Sequence, residues 1–204
     1  MRRFLTSALL ALGLAVLWPA GAALAQSCGG IEEPACPPEH SRVDPVAPGP
    51  ALNAGSTRII VRLLEGANDT CDDDRIALRY RIDCLRLYYL KVAELLPDNG
   101  DYLPVKKAML DAAARLDAIV TANLDTTAPA IRPREKHKPA ARRMPPIRAV
   151  TEESAAAAAA EAAKVVEETE LIIIRSGGDP ARRTQHYTDI AAAVEENLVI
   201  LRSA

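Results

Sequence analysis

Apolar and small residues recur at steps of three and four along four long segments of this chain. Over 72–96 they are Leu78, Ile82, Leu85, Tyr89, Val92 and Leu96. Over 101–125 they are Val105, Met109, Ala112, Leu116 and Ile119, with Asn123 continuing the phase. Over 151–176 the series is Ala155, Ala158, Ala162, Val165, Thr169 and Ile172, and over 179–202 it is Tyr187, Ile190, Val194, Asn197 and Leu201. Such spacing keeps one side of a helix turned to a partner, so each segment is expected to be an amphipathic helix. A shorter apolar run, STRIIVRLLEG over 56–66, is read as a short helix. The six consecutive alanines over 155–160 favour helix intrinsically, and the apolar phase runs through them, so they are read as a packed face.

The punctuation fits these segments. Pro97-Asp98-Asn99-Gly100 ends the first long helix and turns the chain, and Ser176-Gly177-Gly178 ends the third. Asp179-Pro180 supplies an N-cap followed by Pro at the first helical position, and Thr151-Glu152-Glu153 supplies a cap and acidic residues where a helix dipole favours them. The acidic run NDTCDDD, residues 68–74, is read in the same way, as the start of the first long helix. Short connections make antiparallel neighbours. The expected fold is therefore all-α: two antiparallel helical hairpins packed as a four-helix bundle. Asn123 and Asn197, polar residues within the seams, would fix helix register.

The ends and the middle of the chain differ from these segments. Residues 1–25 combine Arg2 and Arg3, an apolar stretch and an Ala23-Leu24-Ala25 cleavage pattern, the layout of a secretory signal peptide. A lipidated Cys28 is the processing alternative, although Ala25 stands where lipoprotein signals carry Leu. No later stretch approaches the ~18 apolar residues a spanning helix needs. Residues 26–55 are rich in proline and glycine and form an extended arm. Residues 56–125 hold the short helix and the first hairpin, 126–150 a basic linker with five prolines, and 151–204 the Ala-rich second hairpin. The linker is expected either to wrap across the end of the bundle or to tether the hairpins loosely.

Composition narrows the chemistry. Phe4 and Trp18, the only Phe and Trp, lie in the signal segment, which leaves five tyrosines as the aromatics of the mature chain. A core of Leu, Ile, Val and Ala suits closely packed helices better than a pocket walled by aromatic rings. Four cysteines, Cys28, Cys36, Cys71 and Cys84, in an exported chain are read as structural disulfides. If Cys71 and Cys84 share one helix, their separation is about 20 Å, beyond disulfide reach. The expected bonds therefore join the arm to that helix: Cys28 and Cys36 with Cys71 and Cys84, in either order, pinning the arm.

No catalytic constellation is present: there is no G-x-S-x-G, H-E-x-x-H or phosphate loop, and His40, His137 and His186 are scattered. The cysteine and acidic spacings match no metal or cofactor pattern. The chain is thus not expected to be an enzyme or to hold a cofactor. The strongest charge signal is the linker, where Arg132, Arg134, Lys136, Lys138, Arg142, Arg143 and Arg148 face Glu135 alone. A basic segment on an otherwise acidic chain suits an envelope protein, an anionic envelope polymer or a lipid headgroup as partner. Without interleaved aromatics it does not suit nucleic acid. Arg81, on the apolar side of its helix beside Tyr88, is the alternative site, a pocket for a small anion. The functional expectation is an exported non-enzymatic helical interaction or scaffold protein of the cell envelope, able to self-associate through its helix faces. The alternative is a small-anion-binding helical bundle.

Overall fold

A computed structural model of the chain describes residues 49–135, 143–178 and 181–202. The expected signal segment, Cys28, Cys36 and most of the arm lie outside the described residues. The chain divides into Met1–Asp44 and Pro45–Ala204, and the described residues all belong to the second unit. Its elements are α1 (Ala54–Cys71), α2 (Leu78–Leu95), a 3-10 turn (Gly100–Tyr102), α3 (Leu103–Ala122), α4 (Ala155–Ser176), α5 (Ala181–Glu196) and α6 (Leu198–Arg202). Five long helices pack in a cycle, α1 on α2, α2 on α3, α3 on α4, α4 on α5 and α5 back on α1, while α2 and α4 also meet across the middle. Among the described residues there is no strand, and no helix is long and apolar enough to cross a membrane.

The helix of α1 is the main departure from the expected hairpins. The sequence suggests a short helix ending at Gly66, yet α1 spans 18 residues and runs on to Cys71. Asn53 starts it, its Oδ1 accepting from the Ser56 amide at 2.9 Å. Ile60, Leu64, Ala67 and Cys71 then carry a buried stripe at three- and four-residue steps. Burial of that stripe against α2 and α5 offsets the helix-breaking tendency of Gly66.

Extension of α1 moves the acidic run. Residues 68–71 of NDTCDDD end α1, and the three following aspartates lie in the connection 72–77 rather than in the first turn of α2, which begins at Leu78. The dipole explanation therefore fails for these residues. Neighbouring arginines balance two of them instead: Asp73 accepts from Arg75 at 2.8 and 2.9 Å, and Asp72 pairs with Arg81. The same shift overturns the expected disulfide pairing. Cys71 closes α1, Cys84 lies in α2, and the two are bonded with their α-carbons 5.8 Å apart. The bond joins two antiparallel helices, so the 20 Å rise along a single helix does not apply.

Asn197 ends α5, and the axis is interrupted before α6. Its buried side-chain amide donates to the Leu64 carbonyl at 2.9 Å and to Asn68 Oδ1 at 2.8 Å, joining the break to α1. Asn123 lies at the end of α3, where its Nδ2 donates to the Ile119 carbonyl. At the turn between α2 and α3, Gly100 has φ +73°, and a Cβ there would come within 2.6 Å of the backbone of Gly49 and Pro50. Only glycine satisfies both the left-handed backbone and this close approach.

The basic linker is neither a loose tether nor an end-wrap. Its two described arms, 124–135 and 143–150, run antiparallel as a narrow ribbon. Ile131 and Ile147 exchange both backbone hydrogen bonds, the Met144 amide donates to the Pro133 carbonyl, and the Asp125 amide donates to the Ala149 carbonyl. The ribbon lies on α2: the Val150 amide donates to the Arg79 carbonyl, and the Tyr80 hydroxyl donates to the Pro129 carbonyl at 2.8 Å. Met144, Ile147, Ala149 and Val150 are buried beneath it. Four apolar anchors among the prolines and arginines thus supply the burial that a tether lacks.

Candidate functional site

Folding of the linker sorts its described basic residues into two groups. Arg148 turns inward. Its backbone amide and its Nη2 each reach the Asp83 carboxylate at 2.7 Å, and the same Nη2 reaches Asp117 at 2.6 Å. Arg86 Nε adds a hydrogen bond to Asp83 at 2.5 Å. Burial pushes the Asp83 carboxyl up, but the hydrogen bonds from Arg148 and Arg86 outweigh it and hold the carboxyl below its ordinary value. Arg148 is a fastener of the ribbon, its guanidinium engaged by Asp83 and Asp117.

Arg132, Arg134 and Arg143 turn outward. With Arg75 from the 72–77 connection they surround a cleft of about 380 Å³. Thr70, Asp73 and Ile76 form the wall on the α1–α2 side, and Ile131 and Pro133 form the wall on the ribbon side. Among the described residues Asp73 is the only carboxylate lining the cleft, and both its oxygens accept from Arg75. Among the described residues no ion pair joins Arg132, Arg134 or Arg143 to a carboxylate. Within that described part of the chain, the site therefore presents three guanidinium groups without internal counterions around a partly apolar floor. Lys136, Lys138 and Arg142 lie outside the described residues.

The cleft exists because two local structures meet there. The disulfide between Cys71 and Cys84 fixes the 72–77 connection on one side, and the Asp73 carboxylate holds both the backbone amide and the guanidinium of Arg75. On the other side, the pairing of Ile131 with Ile147 sets the ribbon's register, so Arg132 and Arg134 occupy alternate positions of one extended arm. Lys91 pairs with Glu135 and so ties down the end of that arm.

Arg81 and Tyr88 do not form the expected pocket. The Nε of Arg81 donates to the Ile76 carbonyl at 3.0 Å, and its Nη1 donates to Asp72 and to the Ile200 carbonyl at 3.2 Å. The guanidinium thus fastens the 72–77 connection to α6. The Tyr88 hydroxyl donates to Thr70 Oγ1 at 2.8 Å, and burial pushes its pKa up to about 12. Both side chains are buried structural groups with protein partners. His186 hydrogen-bonds Thr57 between α5 and α1, and among the described residues no group of three or more His, Cys, Asp or Glu side chains could hold a metal ion.

Asp83, Asp117 and Arg75 are the contributors that sequence reasoning missed. On a helical wheel Asp83 joins Arg75, Arg79 and Arg86 in one polar stripe, and the spacing does not set it apart from its neighbours. The available signal was its local setting, a single acid between Ile82 and Cys84-Leu85. Comparison with known proteins adds no assignment: no family model matches the chain, and neither a curated protein nor a solved structure shows significant similarity to it.

Proposed function

We propose that the chain is an exported, non-enzymatic interaction protein of the cell envelope that engages an acidic partner through the arginine cleft. The observation that carries this reading is the orientation of Arg132, Arg134 and Arg143, exposed side by side, with no counterion among the described residues, on a ribbon fastened to the helices. Arginines on a fixed backbone lose less entropy on binding than the same residues on a free tether, which favours this placement as a recognition surface. A scaffold role has a second support. Leu171, Ile172 and Ile174, near the end of α4, project into solvent at 40–46% exposure, where contacts with another copy or another protein would form. The alternative, a bundle binding a small anion through Arg81 and Tyr88, loses its support because the donors of both groups already face protein acceptors.

Retention on immobilised polyglutamate tests the reading. The wild-type protein is expected to bind at low ionic strength and to elute with salt. The variant Arg132→Gln/Arg134→Gln/Arg143→Gln is expected to pass through while melting at the wild-type temperature. Equal retention of the two proteins would remove the cleft from any such interaction.

A further inference from the structure

The composition of the cleft goes further than an acidic partner in general. We infer that it is a binding site for a phosphoryl group, carried either by a free phosphate compound or by a lipid headgroup; this rests on the reading of the arginine face as an anion-recognition surface. Three features of the described residues point to this chemistry.

The first is charge. Asp73 is bound to Arg75 through both oxygens, so Arg132, Arg134 and Arg143 are left as three cationic groups around one cleft. A single carboxylate would offset one of them. A phosphomonoester carries a charge of about −1.5 to −2 and three strong acceptor oxygens, and so can accept from several guanidinium groups at once.

The second is geometry. Arg132 and Arg134 lie two residues apart on one extended arm, a rise of roughly 7 Å, and Arg143 approaches from the opposing arm, where strands lie about 5 Å apart. Three planar forks around a compact centre suit a tetrahedral oxyanion, whose oxygens diverge, better than a flat carboxylate. Every cationic group among the described residues lining the cleft is an arginine, the residue whose donors are fixed in bidentate geometry.

The third is the floor. Ile76, Ile131 and Pro133 line the same cleft. They exclude water from one side of the anion and so strengthen its attraction to the guanidinium groups. At about 380 Å³ the cleft also leaves room for the carbon portion of an ester beside its phosphate.

The test is calorimetric titration of the oxidised protein with pyrophosphate, together with sedimentation on phosphatidylcholine vesicles with and without phosphatidic acid. Arg132→Gln/Arg134→Gln is the cleft variant. Arg58→Gln/Arg175→Gln, which replaces two exposed arginines in α1 and in the last turn of α4, is the control for loss of two charges. Pyrophosphate binding that weakens about tenfold or more in the cleft variant, and is unchanged in the control, would support a free phosphate ligand. Binding to phosphatidic acid vesicles alone, with the same dependence on the cleft, would support the headgroup source. Equal binding by the wild type and the cleft variant would overturn the inference. Retention on polyglutamate with no response to pyrophosphate or phosphatidic acid would overturn the phosphoryl assignment while leaving the acidic-partner reading intact. Absence of binding in all three assays would overturn both.

Discussion

Arg148 and Asp83 hold the basic ribbon to the helical body. The Asp83 side chain is fully buried, and it accepts from both the backbone amide and the guanidinium of Arg148, 65 residues further along the chain. A buried carboxylate stripped of its partners is strongly unfavourable, so loss of either residue is felt through the group that remains. Asp83→Asn is expected to destabilise the protein by about 3 kcal/mol. Arg148→Ala is expected to have a smaller effect, because Arg86 and the backbone amide still reach Asp83. Urea unfolding of the two single variants and the double variant checks the coupling: the double variant should lose clearly less than the sum of the singles. Strict additivity would place the two residues in independent roles.

The same pair sets an acid limit. The folded state holds the Asp83 carboxyl below its ordinary value, so folding favours the ionised form. Its contribution is complete above the unfolded carboxyl value of about 3.9 and is lost as pH falls through the lower folded value. Thermal melts across the acid range should therefore show a decline for the wild type that is shallower in Asp83→Asn. Identical acid limbs would show that other carboxylates govern acid unfolding.

The Cys71–Cys84 bond fixes the connection that forms one wall of the cleft. It closes a loop of 13 residues, for which chain-entropy arguments give about 3 kcal/mol. Cys71→Ser/Cys84→Ser is expected to lose roughly that much in denaturant melts. Non-reducing peptide mapping should recover Cys71 and Cys84 in one cross-linked pair. A cross-link from Cys28 or Cys36 to Cys84 would contradict the pairing.

Gly66 offers a gain in stability. It lies inside α1, and a Cβ there would meet only the Tyr88 ring, at an ordinary contact distance of 3.8 Å. Gly66→Ala should stabilise the protein by about 0.5–1 kcal/mol, read as a raised denaturation midpoint. A loss of stability would mean that α1 does not continue through this position.

The helices were legible in the sequence where burial repeats at three- and four-residue steps without interruption. Leu85, Tyr89 and Val92 in α2, and Val105, Met109 and Leu116 in α3, are buried as their spacing suggests. Gly66 interrupted the same pattern in α1, and that one misplaced end carried two further errors: it put the aspartates at the start of α2 and set Cys71 just ahead of the helix that holds Cys84, along one axis. Asp83 was missed for a different reason. Periodicity within a helix cannot register a cover supplied from residue 148, and a polar stripe beneath a ribbon looks like a stripe beneath water. In the linker the prolines did forbid helix, but Met144, Ile147 and Val150 restored packing that local propensity does not report. The arginines of the cleft were visible as charge. Their division into an inward Arg148 and an outward Arg132, Arg134 and Arg143 depended on the ribbon's register, which only tertiary pairing sets.

Everything proposed for the cleft depends on the basic segment being a fixed ribbon. Native-state hydrogen exchange of the Ile131, Ile147 and Val150 amides tests this most directly, because Ile131 and Ile147 donate to each other's carbonyls only when the ribbon is formed, and Val150 donates to the Arg79 carbonyl only when it is docked. The expected result is slow exchange at all three, weakened in parallel by Asp83→Asn. Exchange at the rate of a free peptide, while amides within α2 stay protected, would make the segment a tether and leave the arginines without a site.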